Sequence, residues 1–197
     1  MQPTTQTVFE VFQKERRYVV PLYQRSYVWN QDDQWAPLWQ DIERQAIKAA
    51  FAFKYEKGVG ATHFLGAIVL NVQKIVGRGH AISEIIDGQQ RLTTLQIFLA
   101  ALKDYCNASG RELANEIARL TFNPINRGKS EDRFKIWPTN SDRYTFSRLM
   151  DCGSYEDVLE QFDVGRPGAQ LHKWCRRIFI STTKYGVLTK IGTRPTL

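Results

Sequence analysis

Residues 87–91 read D-G-Q-Q-R, at the point where a short apolar run, E-I-I, gives way to the helical pattern of R-L-T-T-L-Q-I-F. These residue types suit a phosphate group. A helix N-terminus offers unpaired backbone N–H groups and a partial positive charge. Gly88 lets the backbone approach a ligand with no Cβ in the way. Gln89 and Gln90 add amide donors, and Arg91 adds a planar fork matched to phosphate oxygens. Asp87 would repel a bare phosphate, so its chemistry is that of a Mg²⁺ ligand or a group that orients a water. Thr93 and Thr94, one turn further on, could add a hydroxyl. A simpler reading stays open, in which Asp87 only caps the helix and Arg91 solvates its flank. No G-x-x-x-x-G-K-[ST] loop is present, so this is not a Walker A site.

The elements that would position this corner follow from periodicity. T-V-F-E-V-F at 7–12 and Y-V-V-P-L at 18–22 read as short extended pieces, and Pro21 keeps Val20 out of helix. Asn30 is a natural cap for a helix whose first turn holds Asp32 and Asp33. Trp35, Leu38, Trp39, Ile42 and Ala46 then recur at helical spacing as a buried stripe. Residues 62–72 and 80–87 are strand-like, and G-R-G at 77–79 between them suggests a hairpin. Gly66 inside the first of these marks a bulge or a close backbone approach. A helix over about 89–106 presents Leu92, Leu95, Leu99, Leu102 and Cys106 on one face. Helices are expected near 111–121, 141–151, 154–162 and 168–179, with a strand at 133–137. Trp29, Trp35 and Trp39 are assigned to the core. The pattern as a whole is α+β, with a helical C-terminal half.

Composition narrows the class. The 197 residues carry a net charge of +7, with 43% hydrophobic and 24% charged residues, the profile of a globular chain. No apolar stretch approaches the roughly 20 residues of a membrane span, and the N-terminus lacks a signal-peptide pattern. Cys106, Cys152 and Cys175 are too scattered for a disulfide framework or a C-x-x-C metal site. The expectation is a cytoplasmic chain without structural metal. After Asp163 no acid remains, whereas Arg166, Lys173, Arg176, Arg177, Lys184, Lys190 and Arg194 follow. Such a field attracts polyanions, nucleic acid above all, although a solvated basic end would look the same.

Three segments in order, V-V-P-L-Y-Q-R-S-Y-V-W-N, H-F-L-G-A-I-V-L and I-I-D-G-Q-Q-R-L-T-T-L, together with K-I-W-P-T-N-S-D-R-Y-T-F at 135–146, resemble the N-terminal domain family of GmrSD-type restriction endonucleases. The resemblance covers roughly residues 8–150. It implies a ParB/sulfiredoxin-like core with a small mixed sheet, forming a nucleotide-binding domain over 1–150. Residues 151–197 would then be a helical basic extension, a truncated piece of something longer. It also implies nucleoside triphosphate hydrolysis with Mg²⁺ and a role in modification-dependent DNA restriction. Carried over by position, Asp87 and Arg91 are catalytic, with Asp87 on the metal. Gly88, Gln89, Gln90, Arg91, Arg25 and Gln24 would bind the nucleotide. Tyr23 and Gln24 would sense DNA or a base, Tyr23 by stacking, while ordinary strand packing is the other reading for Tyr23 and Tyr27. Arg176 and Arg177, beyond the resemblance, are assigned to DNA sensing on the basic charge of their stretch. Asp142 and Arg143 are either pocket residues or a helix cap with a surface arginine. No H-N-H-type nuclease site is visible, since only His172 lies beyond residue 80, so cutting would require a nuclease domain or partner chain. The alternative is a non-enzymatic module that senses nucleotide or modified DNA and recruits a nuclease.

The basic stretch generates a first prediction. Deleting residues 164–197 is expected to weaken DNA binding and to flatten the dependence of log affinity on log salt, because each phosphate contact contributes about 0.9 to that slope. An unchanged slope in a salt titration would leave the stretch as a solvated end.

Overall fold

The computed structural model describes residues 3–55, 63–73, 80–124, 130–152, 155–162 and 170–171. The chain opens with a helix, α1 (Val8–Phe12), where extended chain is expected from the β-branched and aromatic residues. The reason is local: T-V-F-E is a capping box. Thr7 accepts from the Glu10 amide at 3.1 Å while the Glu10 carboxylate accepts from the Thr7 amide at 2.6 Å, and this pairing satisfies two otherwise orphaned donors. The backbone and hydroxyl of Thr7 also hold the Glu10 carboxyl below its ordinary range. Phe12 is fully buried, edge-on to Tyr18.

Strand β1 (Arg16–Val19) lies inside a four-stranded mixed sheet of order β2-β3-β1-β4. It pairs in parallel with β3 (Ala81–Asp87) and with β4 (Ile136–Trp137). Strand β2 (Val69–Val72) pairs antiparallel to β3, as the expected hairpin requires, although it is shorter than the 62–72 run. Its G-R-G turn lies outside the described residues. β1 also starts two residues earlier than Y-V-V-P-L suggests, because Arg16 and Arg17 belong to it. Arg17 is tolerated in the sheet because Asp132 receives its Nη1 at 2.7 Å and its guanidinium lies 4.5 Å from the Trp137 ring.

Asn30 caps the next helix as expected, accepting from the amides of Asp32 and Asp33. A wide π-type turn over Gln31–Trp35 leads into α2 (Ala36–Lys54), with Pro37 in its first turn, where the missing N–H costs little. Trp35 is buried, whereas Trp29 and Trp39 only pack partly against the core. The stripe expected along α2 is half-buried, with no fully buried residue between Ala36 and Lys54. Leu38, Trp39 and Ile42 instead border a shallow apolar cleft with Trp35, Thr94, Phe98 and Leu171.

Helix α3 (Gln89–Ala108) is the central element. Its expected apolar face is present, but Ile97, Ala100, Ala101 and Tyr105 are buried as well, so it is enclosed on most sides. Helix α4 (Leu113–Thr121) packs along it, and Gln96 reaches across to the Leu120 carbonyl at 2.9 Å. Helices α5 (Asn140–Asp151) and α6 (Tyr155–Gln161) complete the helical C-terminal half. Their Phe146, Leu149, Met150 and Val158, together with Phe162 and Leu171, enter the same core. Most of the helix expected at 168–179 lies outside the described residues. Among the described residues, no helix is long and apolar enough to cross a membrane.

Among the described residues, Lys135 is a buried basic side chain with no carboxylate hydrogen-bonded to it. Lys135 is 1% exposed, and its Nζ donates to the Lys14 carbonyl and to Asn123 Oδ1, each at 2.9 Å. Burial disfavours its charged form, and its pKa falls from 10.5 to about 8, with Glu15 opposing weakly. Below pH 8 the lysine is charged in both folded and unfolded chains, so the cost is fully present. Between about 8 and 10.5 the unfolded chain binds more protons, and stability rises with pH. Chemical denaturation at pH 7.5 and pH 10 is therefore expected to show a rise in stability that Lys135→Met lacks. Equal pH dependence in the two proteins would overturn this assignment.

Candidate functional site

The D-G-Q-Q-R corner joins strand to helix directly. β3 ends at Asp87, Gly88 takes φ +92°, and α3 begins at Gln89. Only glycine adopts that left-handed geometry without cost. A Cβ there would also stand 3.3 Å from the Ala67 carbonyl oxygen and from Ile68. Asp87 is exposed, and its Oδ1 accepts from the Gly88 amide at 2.8 Å. That amide precedes the helix, and α3 has no side-chain cap. Asp87 is thus not the cap that the simpler reading would make it.

The Y-Q-R segment is brought onto this corner. After Pro21 the chain leaves the sheet and turns, with the Gln24 amide bonded to the Pro21 carbonyl. Gln24 Nε2 donates to the Ile86 carbonyl at 2.9 Å, Gln89 Nε2 to the Arg25 carbonyl at 2.9 Å and Gln90 Nε2 to the Ser26 carbonyl at 2.9 Å. The Val28 amide donates back to Gln90 Oε1 at 3.0 Å. Gln90 therefore grips one peptide segment by both a donor and an acceptor, as if it were a neighbouring strand. Tyr27 points the other way. It is buried, its hydroxyl lies 2.7 Å from Thr94 Oγ1, and it receives Trp35 Nε1 at 3.0 Å. The Thr94 hydroxyl donates in turn to the Gln90 carbonyl, and Thr93 is buried. Neither threonine presents a hydroxyl to a ligand here.

The expected site residues therefore divide. Gln24, Gln89 and Gln90 spend their side-chain amides on backbone carbonyls and hold the two segments together. Arg25 and Tyr23 project outward, Tyr23 being 75% exposed. Arg91 is partly exposed, and its Nη1 donates to the Ala67 carbonyl at 2.7 Å. Asp142 accepts from the Tyr27 amide at 2.8 Å and from the Thr139 hydroxyl at 2.7 Å, so it supports the same segment from α5. Arg143 donates to the Pro138 carbonyl and lies over Trp137. Arg176 and Arg177 lie outside the described residues. Sequence reasoning missed the Ala67 carbonyl, and a backbone atom leaves no signal in residue types. It also missed Tyr27 and Asp142 as supports of the segment, although Asp142 at a helix start was a visible hint.

The corner holds a half-buried left-handed glycine turn and the buried first residues of α3, with partly exposed Arg91 and exposed Arg25, Asp87 and Tyr23 around them. Backbone N–H groups at a helix start and guanidinium groups are of the chemistry that suits an anion. Among the described residues, no group of three or more His, Cys, Asp or Glu side chains could hold a metal ion by itself.

A family model described as GmrSD restriction endonuclease, N-terminal domain, matches residues 8–171. No curated protein matches the chain. The matched span contains both segments that meet at the corner and runs on through α5 and α6 to Leu171, which is buried in the shared core. On that match the chain belongs to the GmrSD restriction endonuclease N-terminal domain family.

Proposed function

We propose that this chain is the nucleotide-responsive domain of a modification-dependent DNA restriction system in anti-phage defence. In this reading it binds a nucleoside triphosphate with Mg²⁺ and hydrolyses it, and so gates a DNA-directed nuclease on a partner domain or chain. Family membership supports the restriction setting. The observation that carries the nucleotide reading is the meeting of Y-Q-R with D-G-Q-Q-R, through Gln24 on Ile86, Gln89 on Arg25 and Gln90 on Ser26. That meeting bonds the Arg25 carbonyl to Gln89 at the start of α3, whose first turn also carries Arg91.

The roles follow from placement. The 88–91 backbone, Arg25 and Arg91 hold phosphates, while Gln24, Gln89 and Gln90 keep that backbone in register. Tyr23 offers a ring for stacking on a base of the nucleotide or of DNA. The basic residues after Asp163, Arg176 and Arg177 among them, supply DNA phosphate contacts. Asp87 fits a Mg²⁺ that arrives with the triphosphate, since such ions are held by one or two carboxylates plus phosphate oxygens. When bound, the ion neutralises phosphate charge and polarises the phosphoryl group. Among the described residues, Asp87 is also the exposed carboxylate at the corner suited to orient or deprotonate an attacking water.

A second reading, a module that senses nucleotide or modified DNA without hydrolysis, is favoured by one observation. Three of the polar side chains at the corner are committed to the chain itself, so only Asp87 remains for chemistry.

Paired substitutions separate the readings. Asp87→Asn keeps an acceptor for the Gly88 amide, and Arg91→Ala sits in the first turn of α3, where Ala supports the helix. Arg91→Ala is expected to weaken triphosphate binding by roughly 1.5–3 kcal/mol, the worth of a hydrogen bond to a charged group. Asp87→Asn is expected to bind triphosphate at least as well without metal, and to lose turnover and Mg²⁺ dependence. Titration of a fluorescent triphosphate with and without Mg²⁺, alongside phosphate release, reads both effects. Hydrolysis at the native rate by Asp87→Asn would remove Asp87 from the chemistry, whereas triphosphate binding with no phosphate release by the native chain would favour the non-hydrolytic reading.

Tyr23 gives a separate test. At 75% exposure its ring contributes little to the core, so Tyr23→Ala is expected to unfold within about 0.5 kcal/mol of the native chain. Nucleotide affinity or stimulation by DNA should fall. A stability loss of roughly 3 kcal/mol, as for a truncated core aromatic, would return Tyr23 to packing.

A further inference from the structure

Gly66 takes φ +108°, a conformation that a side chain disfavours. Space disfavours a side chain even more. A Cβ at this position would stand 2.5 Å from Arg91 Cζ, 2.7 Å from Nη2 and 2.9 Å from Nε. The guanidinium therefore lies flat in the volume where a side chain would be. The next residue completes the contact, since Arg91 Nη1 donates to the Ala67 carbonyl at 2.7 Å. From the other side, Gly88 lets that carbonyl come within 3.3 Å of where its own Cβ would be. Two glycines from distant parts of the chain thus interlock around one carbonyl and one guanidinium.

We infer that Gly66 is a positioning residue of the corner: its missing side chain is the berth in which Arg91 is held, with the Ala67 carbonyl fixing one N–H group and the remaining donors of the fork left for an oxyanion. A free arginine loses rotamer entropy when it captures a phosphate. One already held flat against a glycine loses less, and its two outer nitrogens keep the geometry that matches two phosphate oxygens. Nη1 carries one more N–H than the Ala67 carbonyl uses, so the anchor does not exhaust the fork. This inference rests on the proposal that the corner binds a triphosphate, and it adds a residue from the H-F-L-G segment to that site.

The test is a double-mutant cycle on the full chain, with Gly66→Ala, Arg91→Ala and both together, read by fluorescent triphosphate titration and by thermal unfolding. In the presence of Arg91, Gly66→Ala is expected to cost at least about tenfold in triphosphate affinity, the lower end for a lost hydrogen bond to a charged group. In the Arg91→Ala background the same change should cost less than about twofold, because no guanidinium remains to displace. The loss of Tm from Gly66→Ala should likewise shrink by about 3 °C or more when Arg91 is absent, since only backbone strain is left. Additive effects in both readouts would overturn the berth. Additive affinities with coupled Tm values would show that the packing is real but serves no ligand, which also overturns it as a positioning role. Failure of the unmutated chain to bind any triphosphate would instead remove the functional reading above, while the thermal cycle still reports whether Gly66 and Arg91 interlock. Should Gly66→Ala fail to fold, Gly66→Asn, which tolerates positive φ better while still adding a Cβ, takes its place with the same expected coupling.

Discussion

Residues 20–30 run without regular hydrogen bonding between β1 and the turn that starts α2, yet part of this stretch is packed against the core. Backbone donors and acceptors in such a place must be satisfied. The Gln90 side chain does this, with its amide on the Ser26 carbonyl and its oxygen under the Val28 amide. Removing it would strand one acceptor and one donor, at about 1–3 kcal/mol for each buried group. Much else is built on that grip. Because Ser26 and Val28 are fixed, Tyr27 turns inward to Trp35 and Thr94, and the chain reaches Asn30 in position to cap the next helix. Asp142 closes the arrangement from α5 by taking the Tyr27 amide. One segment is therefore fixed by three elements, and those elements are positioned against each other through it.

The same economy explains how the corner could attract an anion in a chain whose described residues carry slightly more acid than base. The net positive charge lies on residues outside the described ones. Among the described residues, the groups that would set the field at the corner are the start of α3, Arg25 and Arg91, opposed by Asp87. Exposed charges more than about 8–10 Å apart are largely screened at physiological salt. On the proposed function, nucleotide capture and attraction of DNA would therefore be separable, the first depending on the corner's geometry and the second on the basic residues after Asp163.

The architecture was legible where one residue type has one job. Gly88 after an apolar run, Asn30 before two acids, and the leucines of α3 all read correctly, because left-handed turns, caps and buried helix faces restrict residue choice strongly. Residues 7–12 misled because β-branched and aromatic side chains suggest a strand, while a four-residue capping box decided the local structure. Arg16 and Arg17 concealed the start of β1, since charge argues against a central strand until its partner, Asp132, is placed beside it from far along the chain. The glutamines were recognised as polar groups with a purpose, but not what they bind. Their partners are carbonyl oxygens more than sixty residues away, and main-chain atoms are identical at every position. A sequence shows donors. It does not show which backbone they will face.

This division bears on how the site could work. Amides committed to backbone make a frame that changes little when a ligand arrives, so the binding groups need little reorganisation. Charged side chains on such a frame bind well but do not by themselves turn over a substrate. Hydrolysis also requires a group that handles the proton of water or holds an ion against the leaving charge. The frame formed by Gln24, Gln89 and Gln90 would be identical in a catalyst and in a sensor. The difference between them comes down to Asp87, whose carboxylate is exposed and bonded only to its neighbour's amide among the described contacts. That amide anchors one of its two oxygens. If the corner takes a metal-bound phosphate, as proposed, Asp87 would meet it without the cost of leaving a cap, because it does not serve as one.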